Sequence, residues 1–227
     1  IPLYAGMVVA LHYVVGMEVG GYVLEHVFLR LHAALEKGQV DESAAISSKV
    51  ASNMMLLLAY MYNLGIVHGA FMKEIVDTLM AKFEEMHIEL LLVVFKYCGQ
   101  QLRHDDQMGF RALVTEMQNR ARDMDSTAAA SEEGDVRARV KFMVQMLADL
   151  NGKKERKNQG SAQEQVQQLR KWLGQVKSSI GGLDRDVMLR MTVNDLIHAN
   201  ERGRWWLPGA SWKGKEIEAE KRSSTVV

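Results

Sequence analysis

Residues 69–106 read GAFMKEIVDTLMAKFEEMHIELLLVVFKYCGQQLRHDD, and their apolar spacing decides the fold class. Five apolar residues of the first half fall at i, i+3, i+4, i+7 and i+11: Met72, Ile75, Val76, Leu79 and Phe83. Residues at this spacing share one side of a helix with 3.6 residues per turn. Residues 88–95 repeat the spacing in a shorter form. The stretch therefore predicts two consecutive amphipathic helices.

Proline usage extends this prediction to the whole chain of 227 residues. Only Pro2 and Pro208 are present, whereas average usage would place about ten prolines between them. Helix interiors exclude proline because it lacks an N–H and its ring clashes with the preceding turn. The helical spacing also recurs in residues 24–35 and 110–121. We therefore predict an all-α protein.

The predicted helices lie at about 3–16, 22–37, 42–64, 69–85, 87–103, 106–124, 134–151 and 161–180, with a short helix near 194–201. Glycines are expected at three helix ends, namely Gly38, Gly65 and Gly152. Two aspartates are expected to cap the start of the next helix, namely Asp41 and Asp105. Ser161–Glu164 has the pattern of a capping box, and Thr192–Asp195 resembles one.

The order of the helices predicts a stack of antiparallel hairpins. The loops are short, and matching apolar stripes recur 48 and then 38 residues apart, starting from Leu24. HEAT-type repeats have a length of about 40–47 residues. We therefore predict a HEAT-like α-solenoid over residues 1–202, with a compact helical bundle as the alternative. Residues 203–227 are assigned to a tryptophan-rich capping segment and a charged tail.

Composition limits the cellular setting and the classes of partner. Hydrophobic residues make up 48% and charged residues 25%, which is typical of a globular protein without a membrane span. The single cysteine, Cys98, favours a reducing compartment. Residues 1–100 carry 6 basic and 10 acidic residues, and residues 101–227 carry 22 and 18. These balances of −4 and +4 suggest two faces for different partners, or only solvated helix surfaces.

The segment Gly209–Lys215, GASWKGK, has the glycine and lysine spacing of a phosphate-binding loop. A working loop of this kind follows a strand and places Ser or Thr after the lysine to bind Mg²⁺. Here Glu216 follows the lysine, and the sequence predicts no strand. Three tryptophans in this region, Trp205, Trp206 and Trp212, instead predict a structural cap on the last helices of the stack. A role as interface anchors is the alternative.

Three stretches resemble the MIF4G domain, the HEAT-repeat fold named after the middle domain of initiation factor 4G. They read LLLAYMYNLGIVHGAFMKEIVDTLM, HIELLLVVFKYCGQQLRHDD and VRARVKFMVQMLADLNGKKERK. The segments LHYVVGMEVGGYVLEHV and GRWWLPGASWKG are similar to the nucleolar branch of that family, which acts in ribosome biogenesis. The resemblance covers about residues 1–215. Lys141 stands where the family has arginine, which loses the planar fork for bidentate contacts.

The resemblance implies a scaffold rather than an enzyme. It implies binding to a DEAD-box RNA helicase of the initiation factor 4A type, alongside pre-ribosomal RNA and assembly proteins of the small subunit in the nucleolus. It implies no cofactor, no membrane and no small-molecule substrate. Family members have a helical hairpin before the position of residue 1 and a second helical domain of MA3 type after the first. The sequence contains no match to either.

Four positions at helix ends are the candidate helicase contacts. Arg103 and Asp106 follow the end of one helix and are expected to be free for a partner, while Tyr62 and Asn63 end another helix before Gly65. These ends are expected to lie on one edge of the stack.

Two basic groups complete the candidate sites. Arg137 and Lys141 share a helix face while Arg139 points elsewhere, and we leave open whether this helix makes internal ion pairs or partner contacts. Lys153, Lys154, Arg156 and Lys157 suit contact with RNA phosphates. Direct RNA binding, or a purely structural role in the particle, is therefore an alternative function. The seven histidines form no HExxH or other metal-ligand pattern, and no catalytic triad is recognisable.

Overall fold

The computed structural model describes residues 1–37, 44–126, 134–151, 160–180, 188–202 and 206. Ten helices occupy these ranges: α1 Pro2–Val14, α2 Met17–Lys37, α3 Ala44–Asn63, α4 Gly69–Lys82, α5 Glu85–Asp105, α6 Gln107–Ser126, α7 Gly134–Asn151, α8 Gly160–Ser179, α9 Val193–Ile197 and α10 Ala199–Arg202. The described ranges contain no strand, only an isolated bridge between Val67 and Leu189. The predicted all-α fold is confirmed.

The first seven helices form two layers. Helices α1, α3, α5 and α7 pack side by side in that order and make one layer, which we call the odd-numbered layer. Helices α2, α4 and α6 form the second layer, each packing on the odd-numbered helix that follows it. The apolar stripes that define the sequence pattern are buried between the layers, including Leu24, Met72 and Phe110. The predicted HEAT-like stack of helical hairpins is confirmed.

Helix boundaries depend on local backbone conformations that the pattern does not always reveal. Gly65 has a φ of 86° and follows the end of α3, as predicted. Helix α4 ends earlier than predicted because Phe83 has a φ of 50°, and α5 therefore begins at Glu85. The prediction that Asp105 caps α6 is wrong, since α5 continues through Asp105. Asp106 takes that role, and its Oδ1 accepts a hydrogen bond from the Gly109 backbone N–H at 2.8 Å.

Three other predicted helix-end residues, Gly38, Asp41 and Gly152, lie outside the described residues, as does the side chain of Ser161.

Helix α8 does not extend the stack beside α7, as its position in the sequence suggests. Its main packing partner is α1, at the opposite end of the odd-numbered layer. Leu169 lies against Gly6 of α1, and the Lys177 ammonium lies 4.2 Å from the centroid of the Tyr13 ring. Helix α8 therefore crosses the layer instead of continuing it.

The segment after α8 returns to the second layer. The Leu189 N–H donates to the Ile66 carbonyl at 2.8 Å, and the Val193 N–H donates to Glu74 Oε2 at 2.7 Å. Thr192 and Asp195 form the predicted capping box of α9. Trp206 packs against Gly21 of α2. This contact is with the first hairpin of the stack, and the tryptophan cap on the last helices stays a prediction.

Candidate partner-binding cleft

A cleft of about 590 Å³ opens where α3 and α5 end and where α4 and α6 begin. Its apolar lining comes from several elements, namely Val67, Val76, Leu102, Phe110, Leu113 and Met188. Its polar and charged lining consists of Tyr62, His68, Lys73, Asp77, Gln101, Asp105, Asp106 and Arg170. Because helix ends expose backbone donors and acceptors, an edge of this kind is suited to polar contacts with another molecule.

Tyr62 and Asp105 join α3 to α5 at the wall of the cleft. The Tyr62 hydroxyl donates to Asp105 Oδ2 at 2.5 Å, and the Gln101 amide donates to the other carboxylate oxygen at 2.7 Å. Burial and the hydrogen bond to Asp105 together raise the pKa of the Tyr62 phenol far above its ordinary value. The phenol therefore remains a donor throughout the physiological range, and it fixes the position of the carboxylate.

Asp106 and Lys73 form the charged rim of the cleft. Their Nζ and Oδ2 atoms lie 3.5 Å apart, and both side chains are more than half exposed. The Gly109 N–H is the main cause that lowers the pKa of Asp106, and the nearby Lys73 ammonium adds to it. The expectation that Asp106 is free is therefore wrong, although an exposed ion pair contributes little to stability and exchanges easily for a partner's charges.

Asn63 lies behind the cleft wall, where it is held by Arg170 of the lining. The Asn63 amide donates to the Tyr97 carbonyl at 2.7 Å, which links α3 to α5. Arg170 of α8 reaches the Asn63 carbonyl through Nε at 2.9 Å, and it donates to Gln101 Oε1 at 3.0 Å. A guanidinium at the carboxyl end of a helix satisfies an otherwise unpaired carbonyl and opposes the helix dipole. Asn63 is 5% exposed, so its effect on a partner would be indirect.

The structure brings together only part of the predicted site. Tyr62 and Asp106 line one cleft, and Asn63 lies next to it. Arg103 is half-buried near the end of α5 and has an interaction of its own, so the expectation that it is free is wrong. Lys73 and Arg170 were missed by the sequence reasoning. No local signal marks Arg170, because its partner Asn63 lies 107 residues away.

Ion pairs join the basic helix α7 to helix α5. Arg139 Nη1 lies 2.8 Å from Glu85 Oε1 and 2.8 Å from Glu89 Oε1, which fastens α7 to α5. Lys141 is exposed on the same helix, and the side chain of Arg137 lies outside the described part of the chain. The internal alternative therefore applies to Arg139, whereas partner contact by Lys141 and Arg137 stays a prediction.

The remaining predicted residues lie outside the part of the chain that the structure describes. They are the GASWKGK segment and Lys153, Lys154, Arg156, Lys157, Trp205 and Trp212. Within the described ranges, no group of three or more His, Cys, Asp and Glu side chains is placed to hold a metal ion. The described helices also include none with the length and apolar character needed to cross a membrane.

The Tyr62 hydrogen bond gives the first testable prediction. Replacing Tyr62 by phenylalanine should lower the free energy of unfolding by about 1 kcal/mol, because the buried wall loses one hydrogen bond to a carboxylate. The measurement is a urea titration followed by circular dichroism. Tyr22→Phe is the control, because Tyr22 is 58% exposed and should change stability by less than about 0.5 kcal/mol. Equal effects of the two changes would contradict this role for Tyr62.

Comparison with known proteins places these features in a family context. The family model of the MIF4G domain matches residues 1–154. The human nucleolar MIF4G domain-containing protein 1 is 32% identical over 208 residues, which cover 92% of this chain and 23% of that protein. Suppressor of glycerol defect protein 1 of Schizosaccharomyces pombe is 31% identical over 217 residues, covering 92% of this chain and 26% of that protein. The chain thus spans about a quarter of the length of these relatives. No solved structure gives a significant match.

Proposed function

The chain belongs to the MIF4G domain family, and from this membership we propose that it is a non-enzymatic scaffold in nucleolar pre-ribosomes of the small subunit. Its proposed partner is a DEAD-box RNA helicase of the initiation factor 4A type, whose activity it regulates. Pre-ribosomal RNA and assembly proteins are further proposed partners. The observation that carries the proposal is the 32% identity, over 92% of this chain, to a relative named as nucleolar and as containing this domain. Residues 1–202 form the proposed scaffold, and residues 203–227 the proposed capping segment and tail.

The cleft beside Tyr62 is the proposed helicase contact. It combines apolar side chains such as Phe110 with the exposed Lys73–Asp106 pair. Interfaces of this kind gain affinity from the apolar part and orientation from the charged rim. The Tyr62–Asp105 hydrogen bond and the Arg170 contacts hold the walls in place, so binding would require little ordering of side chains.

Binding to a purified helicase tests the proposal. The chain is immobilised and incubated with candidate helicases of this type, with and without a non-hydrolysable ATP analogue. We expect the wild-type chain to retain a helicase. Charge reversal by Lys73→Glu or Asp106→Arg should reduce the affinity by at least about tenfold, because a like-charge contact replaces a favourable one. Arg103→Glu, next to the cleft, should have a smaller effect.

Lys49→Glu is the matched control for these charge changes. Lys49 is exposed near the start of α3, about 20 Å along the helix from Tyr62. Loss of binding in Lys49→Glu as well would point to a general effect of charge and not to the cleft. Binding that survives all the changes would keep the helicase and reject the cleft. Failure of the wild-type chain to bind any candidate would reject the proposed function.

Direct RNA binding is the second candidate function, favoured by the balance of +4 charges in residues 101–227. Lys153, Lys154, Arg156 and Lys157 are the proposed phosphate contacts. A titration of the chain with RNA should then show an affinity that falls steeply with salt. The slope of log affinity against log salt concentration should be steeper by about one unit for each phosphate contact. Neutralising the four residues should flatten that slope, and an unchanged slope would reject them as the RNA contact.

A further inference from the structure

A second, smaller pocket lies where α8 crosses α5 and the end of α3, and we call it the α5–α8 pocket. Its volume is about 120 Å³, whereas sites for drug-sized ligands have about 300–1,000 Å³. Among the described residues, its polar lining contains five carboxamide side chains and two cations but no carboxylate. The pocket therefore suits a small ligand, or a small part of a larger one, that carries negative charge.

Three of the carboxamides are available to a ligand. Gln100, Gln163 and Gln167 make no hydrogen bond with the part of the chain that the structure describes. The other two, Asn63 and Gln101, are already bonded to groups of the protein. A glutamine amide has two N–H donors and a carbonyl acceptor. A ligand that presents donors and acceptors side by side would therefore satisfy all three glutamines.

The two cations of the α5–α8 pocket stand beside flat surfaces. Lys96 is exposed, and its Nζ lies 5.3 Å from the centroid of the Tyr97 ring. Arg170 donates to the Asn63 carbonyl through Nε at 2.9 Å, which fixes the plane of its guanidinium. Unstacked bases of RNA stack on aromatic rings and on guanidinium planes, and lysines pair with the phosphates.

One nucleotide of a single RNA strand uses all of these groups together. Its base has donors and acceptors along one edge, and its phosphate has the negative charge. An inorganic anion or an acidic peptide would use the cations and the amide N–H groups but would leave the glutamine carbonyls unpaired. The basic residues already proposed as RNA contacts are close in sequence, since Lys157 is six positions before Gln163.

We propose that the α5–α8 pocket binds one unstacked base of single-stranded RNA. Gln163 and Gln167 hydrogen-bond to the edge of the base, and Lys96 contacts a neighbouring phosphate. The inference rests on the second candidate function, direct RNA binding, and deepens it, because this pocket makes part of that binding selective for the base. It does not depend on the helicase or on the cleft beside Tyr62.

Titration of the full chain with fluorescent RNA oligomers that contain A, C or U alone tests the pocket. We expect the wild type to bind one of the three at least about tenfold more tightly than the weakest, because hydrogen bonds to a base edge discriminate between bases. Replacing both Gln163 and Gln167 by alanine should remove this preference and leave the salt dependence unchanged. Lys96→Ala should weaken all three oligomers alike and lower the log–log salt slope by about one unit.

Gln168→Ala and Lys171→Ala are the matched controls. Both side chains are exposed on α8 but do not line the pocket, so these variants should bind the three oligomers as the wild type does. None of the replaced side chains is buried, and the melts followed by circular dichroism should therefore match that of the wild type.

The outcomes separate the pocket from RNA binding in general. Equal binding of the three oligomers by the wild type, or a preference that survives the loss of both glutamines, would reject the pocket and leave direct RNA binding in place. Absence of any RNA binding would reject both. A polyglutamate peptide that binds more tightly than every oligomer would identify an acidic protein segment as the ligand. A mononucleotide that binds as tightly as its oligomer would identify the free nucleotide instead of RNA.

Discussion

Replacing Phe95 by alanine is expected to lower the free energy of unfolding by about 3–5 kcal/mol. Phe95 is fully buried on α5, which packs against α3, α4, α6 and α7. No other helix in the described ranges has so many neighbours in the stack. Removal of the ring therefore leaves a cavity that several helices would have to move together to fill. Total stabilities of about 5–15 kcal/mol are usual for domains, so this change consumes a large share.

Urea titration followed by circular dichroism measures this loss, and Leu92→Ala on the same helix is the control. Leu92 is half-buried, so its truncation removes fewer contacts and should cost less than half as much as Phe95→Ala. Comparable losses at the two positions would mean that the loss does not depend on the full burial of Phe95. A chain with Phe95→Ala that also retains wild-type stability would contradict the two-layer packing itself.

The helical stack could be predicted from sequence because its cause is local and repeated. Buried residues such as Ile75 and Leu91 follow the 3.6-residue period that defines one side of a helix. Exact ends were less predictable. The left-handed conformation of Phe83 stops α4 although phenylalanine carries no such signal. The capping role fell to Asp106 instead of Asp105 because α5 ends at Asp105, two residues beyond the predicted end at 103.

The cleft was predictable only in part, for a different physical reason. Tyr62 and Asp106 stand next to helix ends, and helix ends of adjacent hairpins meet at one edge of a stack. Arg170 has no comparable signal. The apolar residues of α8, such as Leu169 and Leu173, fit any complementary apolar face, so the sequence does not specify that α8 crosses to α1 and brings Arg170 to Asn63. Contacts set by the path of the chain, and not by a repeat, were the ones missed.

Replacing Gly20 by alanine is the second large expected effect, and its sign should depend on His12. An added Cβ at Gly20 would overlap His12 Nδ1, and the His12 side chain is 1% exposed. In a helix interior alanine is more favourable than glycine by about 1 kcal/mol of folding free energy. Overpacking, by contrast, destabilises the fold by about 1–3 kcal/mol. With so short a contact we expect the overpacking to win, for a net loss of about 2 kcal/mol.

The same change in a His12→Ala background should stabilise the chain by up to about 1 kcal/mol, because the imidazole is gone and the helix propensity of alanine remains. A double-mutant cycle in urea separates this coupling from the cavity that His12→Ala itself creates. Gly174→Ala on α8 is the control: nothing lies within 4 Å of its added Cβ, so its effect should be equal in both backgrounds. An effect of Gly20→Ala that is also equal in both backgrounds would mean that the His12 ring does not resist the added Cβ. The close approach of His12 to Gly20 would then not be what fixes the first hairpin.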